Sequence, residues 1–442
     1  MKEDMIASNA SEYATDSGYA TDSKYSRDAA SPLTRLAKSL LLGQLRKIRH
    51  GRLRLIDADQ GRSFGHVSAD CAFDVAIRVR HPRFYSDAVF GGTTGAGESF
   101  IHGAWDCDNL TDLVRLMVVN RELMNDVDSG WSRLSAPLFQ LAHRLNRNTA
   151  AGSRRNIAAH YDLGNEFFQL FLDETMAYSC GIFPRADASL LEASTAKFDA
   201  ACSKLNLKPG QRLLEIGTGW GGLALHAARH YGCHVTTTTI SREQYELAAE
   251  KVAQAGLSDR ITLLLEDYRD LKGQYDALVS IEMIEAVGHQ YLDTYFTRCS
   301  GLLEPGGAML LQSITIRDQL YEQARRSVDF IKRFIFPGSF IPSVRALTDS
   351  IARCTDMKLS NLEDIGPHYA RTLKLWRQRL MARQSEVRAL GYPESFIRMW
   401  DYYLCYCEGG FEERQLGDVQ MLLTKPGSRR ASIATVHAAP AQ

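Results

Sequence analysis

The sequence predicts an α/β fold built on a doubly wound, Rossmann-like sheet, with a smaller α+β domain ahead of it. Three observations carry this: apolar strands alternating with helices from about Gln211 onward, a glycine-rich strand-to-helix turn at the first of those strands, and short alternating segments upstream. The expected strands are Arg212–Gly217, His234–Thr239, Ile261–Glu266, Tyr275–Ile281 and Ala308–Thr315. Helical patterns at Trp220–Tyr231, Ser241–Ala255 and Tyr291–Leu303 separate them, and a late strand, Asp418–Lys425, is expected to close one edge. Upstream, Arg52–Val89 reads as β-rich on segments such as Arg52–Ile56 and Phe73–Val79, followed by helical stretches at Leu110–Met124 and near Leu134–Leu145.

At 442 residues the chain is too long for one core, and the boundaries expected are a disordered tail over 1–31, a small domain over 32–150, the sheet domain over 151–427 and a flexible tail over 428–442. The near repeat Tyr13–Gly18 and Tyr19–Lys24 is too polar to offset the entropy of ordering it. No apolar h-region stands in Met1–Asp28, so no secretory signal is expected. Nine cysteines without metal-type spacing fit a reducing cytosol, and the single pair Cys405 and Cys407 does not make a zinc site, so no metal is expected.

The charge balance, 52 Lys+Arg against 52 Asp+Glu, excludes a nucleic-acid binder dominated by basic charge. That zero is a cancellation. Met1–Asp28 is acidic, whereas Ala29–Ile56 has no acid but carries Arg35, Lys38, Arg46, Lys47, Arg49, Arg52 and Arg54. Ser129–Tyr161 is likewise free of acids and carries five arginines. In the first basic run Leu33, Leu36, Ala37, Leu40, Leu41, Leu45 and Ile48 fall at helical spacing. Such a helix either lies on an anionic bilayer or packs on its own domain with a solvated basic face, and the pattern leaves both open. No run approaches the roughly 18 apolar residues of a spanning helix.

The turn Leu213-Leu214-Glu215-Ile216-Gly217-Thr218-Gly219-Trp220-Gly221-Gly222 lets a ligand approach backbone and helix N-terminus. Its spacing departs from the dinucleotide fingerprint. Glu215 places a carboxylate beneath the ligand, which favours an ammonium or sulfonium such as S-adenosylmethionine over NAD. Asp267 and Tyr268, after the third strand, are expected to bind and flank an adenine. The second strand ends in Thr236–Thr239, with no acid for ribose hydroxyls.

The segments Ala159–Phe168, Tyr178-Ser179-Cys180, Ser280–Gly288, Phe334–Gly338, Gly366–Leu373 and Tyr402–Phe411 resemble, in order, the cyclopropane fatty acid synthases, including those acting on mycolic acids. The resemblance runs from about Ala158 to Lys425. It extends more weakly upstream through Gly97–Asp106, which looks like the small lipid-associated domain of the phospholipid-acting members. It implies a methyltransferase sheet that adds the methyl group of S-adenosylmethionine to a cis double bond of an acyl chain, followed by proton loss and ring closure. A base is needed and water must be kept out. The resemblance implies bicarbonate as that base, held by Cys180, Glu285, Tyr369 and the backbone at Ile281. Where the family usually has histidine, this chain has Gln312, which hydrogen-bonds but takes no proton at neutral pH, and Ala286 stands where many members have a second histidine.

The cofactor contacts implied are Tyr178, Ser179, Gly217, Gly219, Trp220, Gly221, Thr239, Gln244, Asp267 and Tyr268. Cys407 matches a cysteine once proposed as a nucleophile, but a thiolate would trap the carbocation, so a packing role is expected. Phe330, Phe334, Phe336 and Phe340 interleave with Arg325, Arg326, Lys332 and Arg333, where the resemblance implies the cover of an acyl tunnel and the residues alone equally fit a packed helix. The partners implied are unsaturated phospholipid acyl chains and an anionic membrane surface met peripherally from the cytoplasmic side, with no nucleic acid. A homodimer rests on analogy alone. Gln312 also admits a product with a methyl or methylene branch and no ring, and a reading from another class is a non-catalytic lipid-surface binding protein.

Overall fold

The computed structural model describes residues 31–58, 60–121 and 163–429. The N-terminal tail through residue 30, the helix expected near residues 134–145, the arginine run of 129–161 and the chain from residue 430 lie outside the described residues. Two compact units interleave along the chain.

The first unit holds residues 31–121 with Ser327–Ile335 and Leu373–Glu413. Its sheet has the order β2-β1-β3-β4, formed by β1 (Gly51–Asp57), β2 (Gln60–His66), β3 (Asp74–Val79) and β4 (Trp105–Cys107). Helices Arg83–Phe90 and Gly92–Ile101 end the expected β-rich stretch early. The basic helix spans Pro32–Leu45, with Ser31 Oγ accepting from Thr34 N–H as its N-cap. It buries Ala37, Leu41, Leu42 and Leu45 in its own unit, and Lys38 ion-pairs with Asp57, which also accepts the Tyr85 hydroxyl. Most of the apolar stripe is thereby used inside the protein. Leu33 and Leu36 remain 56% and 51% exposed.

The two compact units do not divide the chain at a single point. Helix Glu394–Glu412 packs with N-terminal residues: Tyr402 lies 5.5 Å from the Phe100 ring, and Arg398 donates to the carbonyls of Phe100 and Trp105. Cys407 therefore belongs to the first unit. The Phe and Arg residues around 330 divide between the two units. Phe330 packs on Phe334 and Tyr402 in the first unit, while Phe336 and Phe340 belong to the second. Arg333 pairs with Glu98, and Arg325 and Arg326 pair with Glu322. Packing and ion pairs explain these side chains.

The second unit, residues 163–326, Phe336–Thr372 and 414–429, carries a seven-stranded sheet of order β10-β11-β9-β8-β5-β6-β7. Its strands are β5 (Arg212–Ile216), β6 (His234–Thr238), β7 (Ile261–Leu264), β8 (Tyr275–Ile281), β9 (Leu303–Ile316), β10 (Lys358–Asp364) and β11 (Leu416–Thr424). Strands β5 to β9 run parallel, while β11 is antiparallel to both β9 and β10. The expected edge strand β11 is thus internal, with β10 outside it. Alternate residues serve opposite faces: Leu214, Leu278, Met309 and Met421 enter one apolar core, and Leu213, Ala277, Leu310 and Leu422 the other. The strand order reverses at β5, between β8 and β6, which opens a crevice at the carboxyl ends of β5 and β8.

Candidate active site

The glycine turn lies at that crevice. Gly217, Gly219 and Gly221 all have positive φ, and Gly217 and Thr218 N–H donate to Thr238 O of the neighbouring strand. Gly222 opens helix Gly222–Tyr231, whose first turn has no side-chain cap, so its N–H groups face the crevice side of the turn. A Cβ at Gly222 would lie 2.8 Å from Thr175 O. After β6, Thr239 Oγ1 donates to Gln244 Oε1 at 2.9 Å, so a threonine and glutamine pair stands where an acid would meet ribose. Trp220 donates to Asn165 Oδ1 and packs on Phe168, and Tyr178 packs between Phe168 and Phe336. The uncapped helix end, positive-φ glycines and hydroxyl–amide pair suit an adenosyl ligand.

Four of the expected cofactor residues have partners within the protein. Glu215 is turned into the sheet, 3% exposed, and accepts the Thr237 hydroxyl at 2.6 Å. Burial pushes its carboxyl up to about 8, and it supports the turn from beneath. Both carboxylate oxygens of Asp267 take the Arg269 guanidinium at 2.7 Å. Tyr268 is a core ring, edge-on to Tyr295 at 5.4 Å. Ser179 accepts from Lys197 Nζ at 2.6 Å, a lysine with no exposed surface whose pKa burial lowers.

Three of the groups expected around an anion converge on one point, and that point is Glu282. Cys180 N–H and Gln312 Nε2 each donate to Glu282 Oε1 at 2.8 Å, and the Tyr369 hydroxyl donates to Oε2 at 2.6 Å. Cys180 contributes its backbone. Its thiol is fully buried and held well above the usual range, first by burial and then by Asp418 and Glu282. Ile281 ends β8 opposite Gln312 in the register, and Glu282 N–H donates to Gln312 O. Glu285 stands one step aside: Oε1 accepts from the Ser313 hydroxyl and Ile314 N–H, Oε2 is buried without a partner, and burial followed by Glu282 pushes its carboxyl up to about 8.

The amide of Gln312 is oriented by a chain of obligatory donors. Lys204 can only donate, so Gln420 Oε1 faces it at 2.6 Å and Gln420 Nε2 donates to Gln312 Oε1 at 3.0 Å. Gln312 Nε2 is left to face Glu282, with Asp418 Oδ2 at 3.1 Å. Asp418 is fully buried, and burial and then Glu282 hold its carboxyl well above the usual range. Asp418, Gln420, Lys197 and Glu282 had no role assigned from the sequence. Their available signal was polarity at core-facing positions, as in the otherwise apolar run Val419-Gln420-Met421-Leu422-Leu423.

This geometry meets a consistent set of relatives. The family model for mycolic acid cyclopropane synthetase matches residues 148–421. The cyclopropane-fatty-acyl-phospholipid synthase of Escherichia coli K12 is 38% identical over 354 residues, covering 79% of this chain and 87% of that one. A tuberculostearic acid methyltransferase of Mycobacterium tuberculosis is 38% identical over 343 residues, covering 76% and 80%. Among solved structures, a mycolic acid cyclopropane synthase complexed with SAH and CTAB superimposes with a TM-score of 0.58 at 32% identity, over 62% of this chain and 98% of that one.

Proposed function

Because the chain belongs to the mycolic acid cyclopropane synthetase family and is an S-adenosylmethionine-dependent methyltransferase of the cyclopropane fatty acid synthase type, we propose that it acts on the cis double bond of an unsaturated phospholipid acyl chain and closes a cyclopropane ring. The observation that carries this reading is the buried cluster beyond β8. A carboxylate held by three donors supplies a base at the crevice, while the Cys180 thiol is kept neutral and so does not trap a carbocation. S-adenosylmethionine supplies an electrophilic methyl on sulfur. The chain's part is to hold it at the glycine turn, exclude water and receive one proton. A phospholipid substrate is supported by the alignment with the Escherichia coli synthase across most of both chains.

The protein meets its lipid at an anionic bilayer surface on the cytoplasmic side. Exposed Leu33 and Leu36, with Arg35 between them and Arg46 and Lys47 beyond, support this contact. Among the described residues no helix is long and apolar enough to cross a membrane.

A second reading, a methyl or methylene branch without a ring, is favoured by Gln312 in place of histidine and by the likeness to the tuberculostearic acid methyltransferase. One experiment tests both. Vesicles of anionic, cis-monounsaturated phospholipid are incubated with the protein and labelled S-adenosylmethionine, and the acyl chain is expected to gain about 14 Da, one CH2. Proton NMR then separates ring from methylene. Lipid binding without mass gain refutes the catalytic reading and leaves a lipid-surface binding protein.

A further inference from the structure

Three of the groups expected around bicarbonate already hold a carboxylate of the chain. Cys180 N–H, Gln312 Nε2 and the Tyr369 hydroxyl all end on Glu282, at 2.6 to 2.8 Å. Glu282 follows β8 with φ of 48°, a backbone conformation that side-chain-bearing residues rarely adopt. The strain is kept where the side chain meets three donors. A second anion against the same donors would sit beside Glu282, with Asp418 and Glu285 close by, and Lys197, which donates to Ser179, is already the electrostatic partner of Glu282. Burial, and then Glu282, raise the Asp418 carboxyl well above its usual range, so the pocket already disfavours added negative charge. Bicarbonate does not fit this pocket.

We propose that Glu282 is the base of the reaction, an internal carboxylate standing where bicarbonate is expected, so that turnover needs no dissolved bicarbonate. The proposal rests on the function proposed above. The alkene π pair forms the bond to the methyl carbon while the carbon–sulfur pair leaves with sulfur, placing positive charge on the other alkene carbon. Glu282 takes one proton from the added methyl, the carbon–hydrogen pair closes the third ring bond, and the proton then passes to water. Gln312 is sufficient in this scheme, because the base needs a donor to orient it and no partner to relay its proton.

The test compares the parent protein with Glu282→Gly and Glu282→Gln, in buffer stripped of carbon dioxide and with millimolar bicarbonate restored. Glycine takes the positive φ without strain and empties the anion position, whereas glutamine keeps it filled without a base. The parent is expected to turn over equally in both buffers. Each variant should lose about 100-fold or more without bicarbonate, the scale of general-base catalysis. Bicarbonate should restore Glu282→Gly and leave Glu282→Gln inactive. Carbon-13 NMR titration with labelled bicarbonate gives a readout independent of turnover, with binding expected in Glu282→Gly and none in the parent. Bicarbonate binding by the parent, a parent rate that collapses without bicarbonate, or full activity of Glu282→Gly in stripped buffer overturns the proposal. A parent inert on every lipid refutes the proposed function, and the titration still decides whether Glu282 occupies the anion position.

Discussion

Replacing Gln420 with methionine removes both polar groups of a fully buried amide at nearly constant volume. Lys204 loses one acceptor but keeps Glu363. Gln312 Oε1 loses its donor in a position with no access to water. A stranded buried acceptor costs about 1–3 kcal/mol and a bond from a charged donor about 1.5–3, partly offset by the easier burial of methionine, so a net loss of about 2–3 kcal/mol is expected. For a folding unit of this size that lowers the melting temperature by about 4–10 °C, measured by scanning calorimetry on the parent and variant. Gln312 also loses the donor that distinguishes its oxygen from its nitrogen, so methyl transfer should fall along with stability. A double-mutant cycle with Gln312→Leu isolates the pair: the double variant should cost at least about 1 kcal/mol less than the sum of the singles. A Gln420→Met protein that melts with the parent, or a cycle additive within about 0.3 kcal/mol, refutes the orienting chain from Lys204 to Glu282.

Glu285→Gln mimics the protonated carboxyl that burial imposes up to about pH 8. Since the folded state raises this group above its unfolded value, the parent loses stability as pH rises from about 4.5 to about 8 and is level above that. The variant should lack that contribution, so its denaturation midpoint relative to the parent should climb over the same window; a difference independent of pH would contradict the assignment. Gly222→Ala puts a Cβ 2.8 Å from Thr175 O and should cost about 1–3 kcal/mol, read from urea midpoints, with weaker binding of S-adenosylhomocysteine. Thr239→Val breaks the bond to Gln244 and should weaken S-adenosylhomocysteine about fivefold by calorimetry, the equivalent of about 1 kcal/mol; unchanged affinity would remove this pair from the cofactor cradle.

The central strands were legible because each is a short apolar run bounded by turn residues, and β8 spans the expected residues from Tyr275 to Ile281. Strand β10 was not, because Lys358-Leu359-Ser360-Asn361-Leu362-Glu363-Asp364 is an edge strand, half solvated and poor in apolar residues. Helix Glu394–Glu412 carries a motif in line with the sheet domain but packs with residues some 300 positions earlier, and nothing local marks that partner.

By itself the sequence determined the periodicities that make the sheet and its two apolar faces and the glycine turn that opens the crevice, while the family resemblance supplied Cys180, Glu285, Tyr369, Gln312 and the backbone at Ile281 as an expected group. These depend on neighbours in the chain or on an ordered set of motifs. Only the tertiary structure decided what that group holds. Glu282, Gln312, Tyr369, Asp418 and Gln420 meet through strand register and the end of one helix, and a buried polar group is defined by the partner that satisfies it rather than by its own identity. That is why Glu282, one residue among others in the run Ser280–Gly288, becomes in three dimensions the carboxylate on which three of the expected anion ligands close.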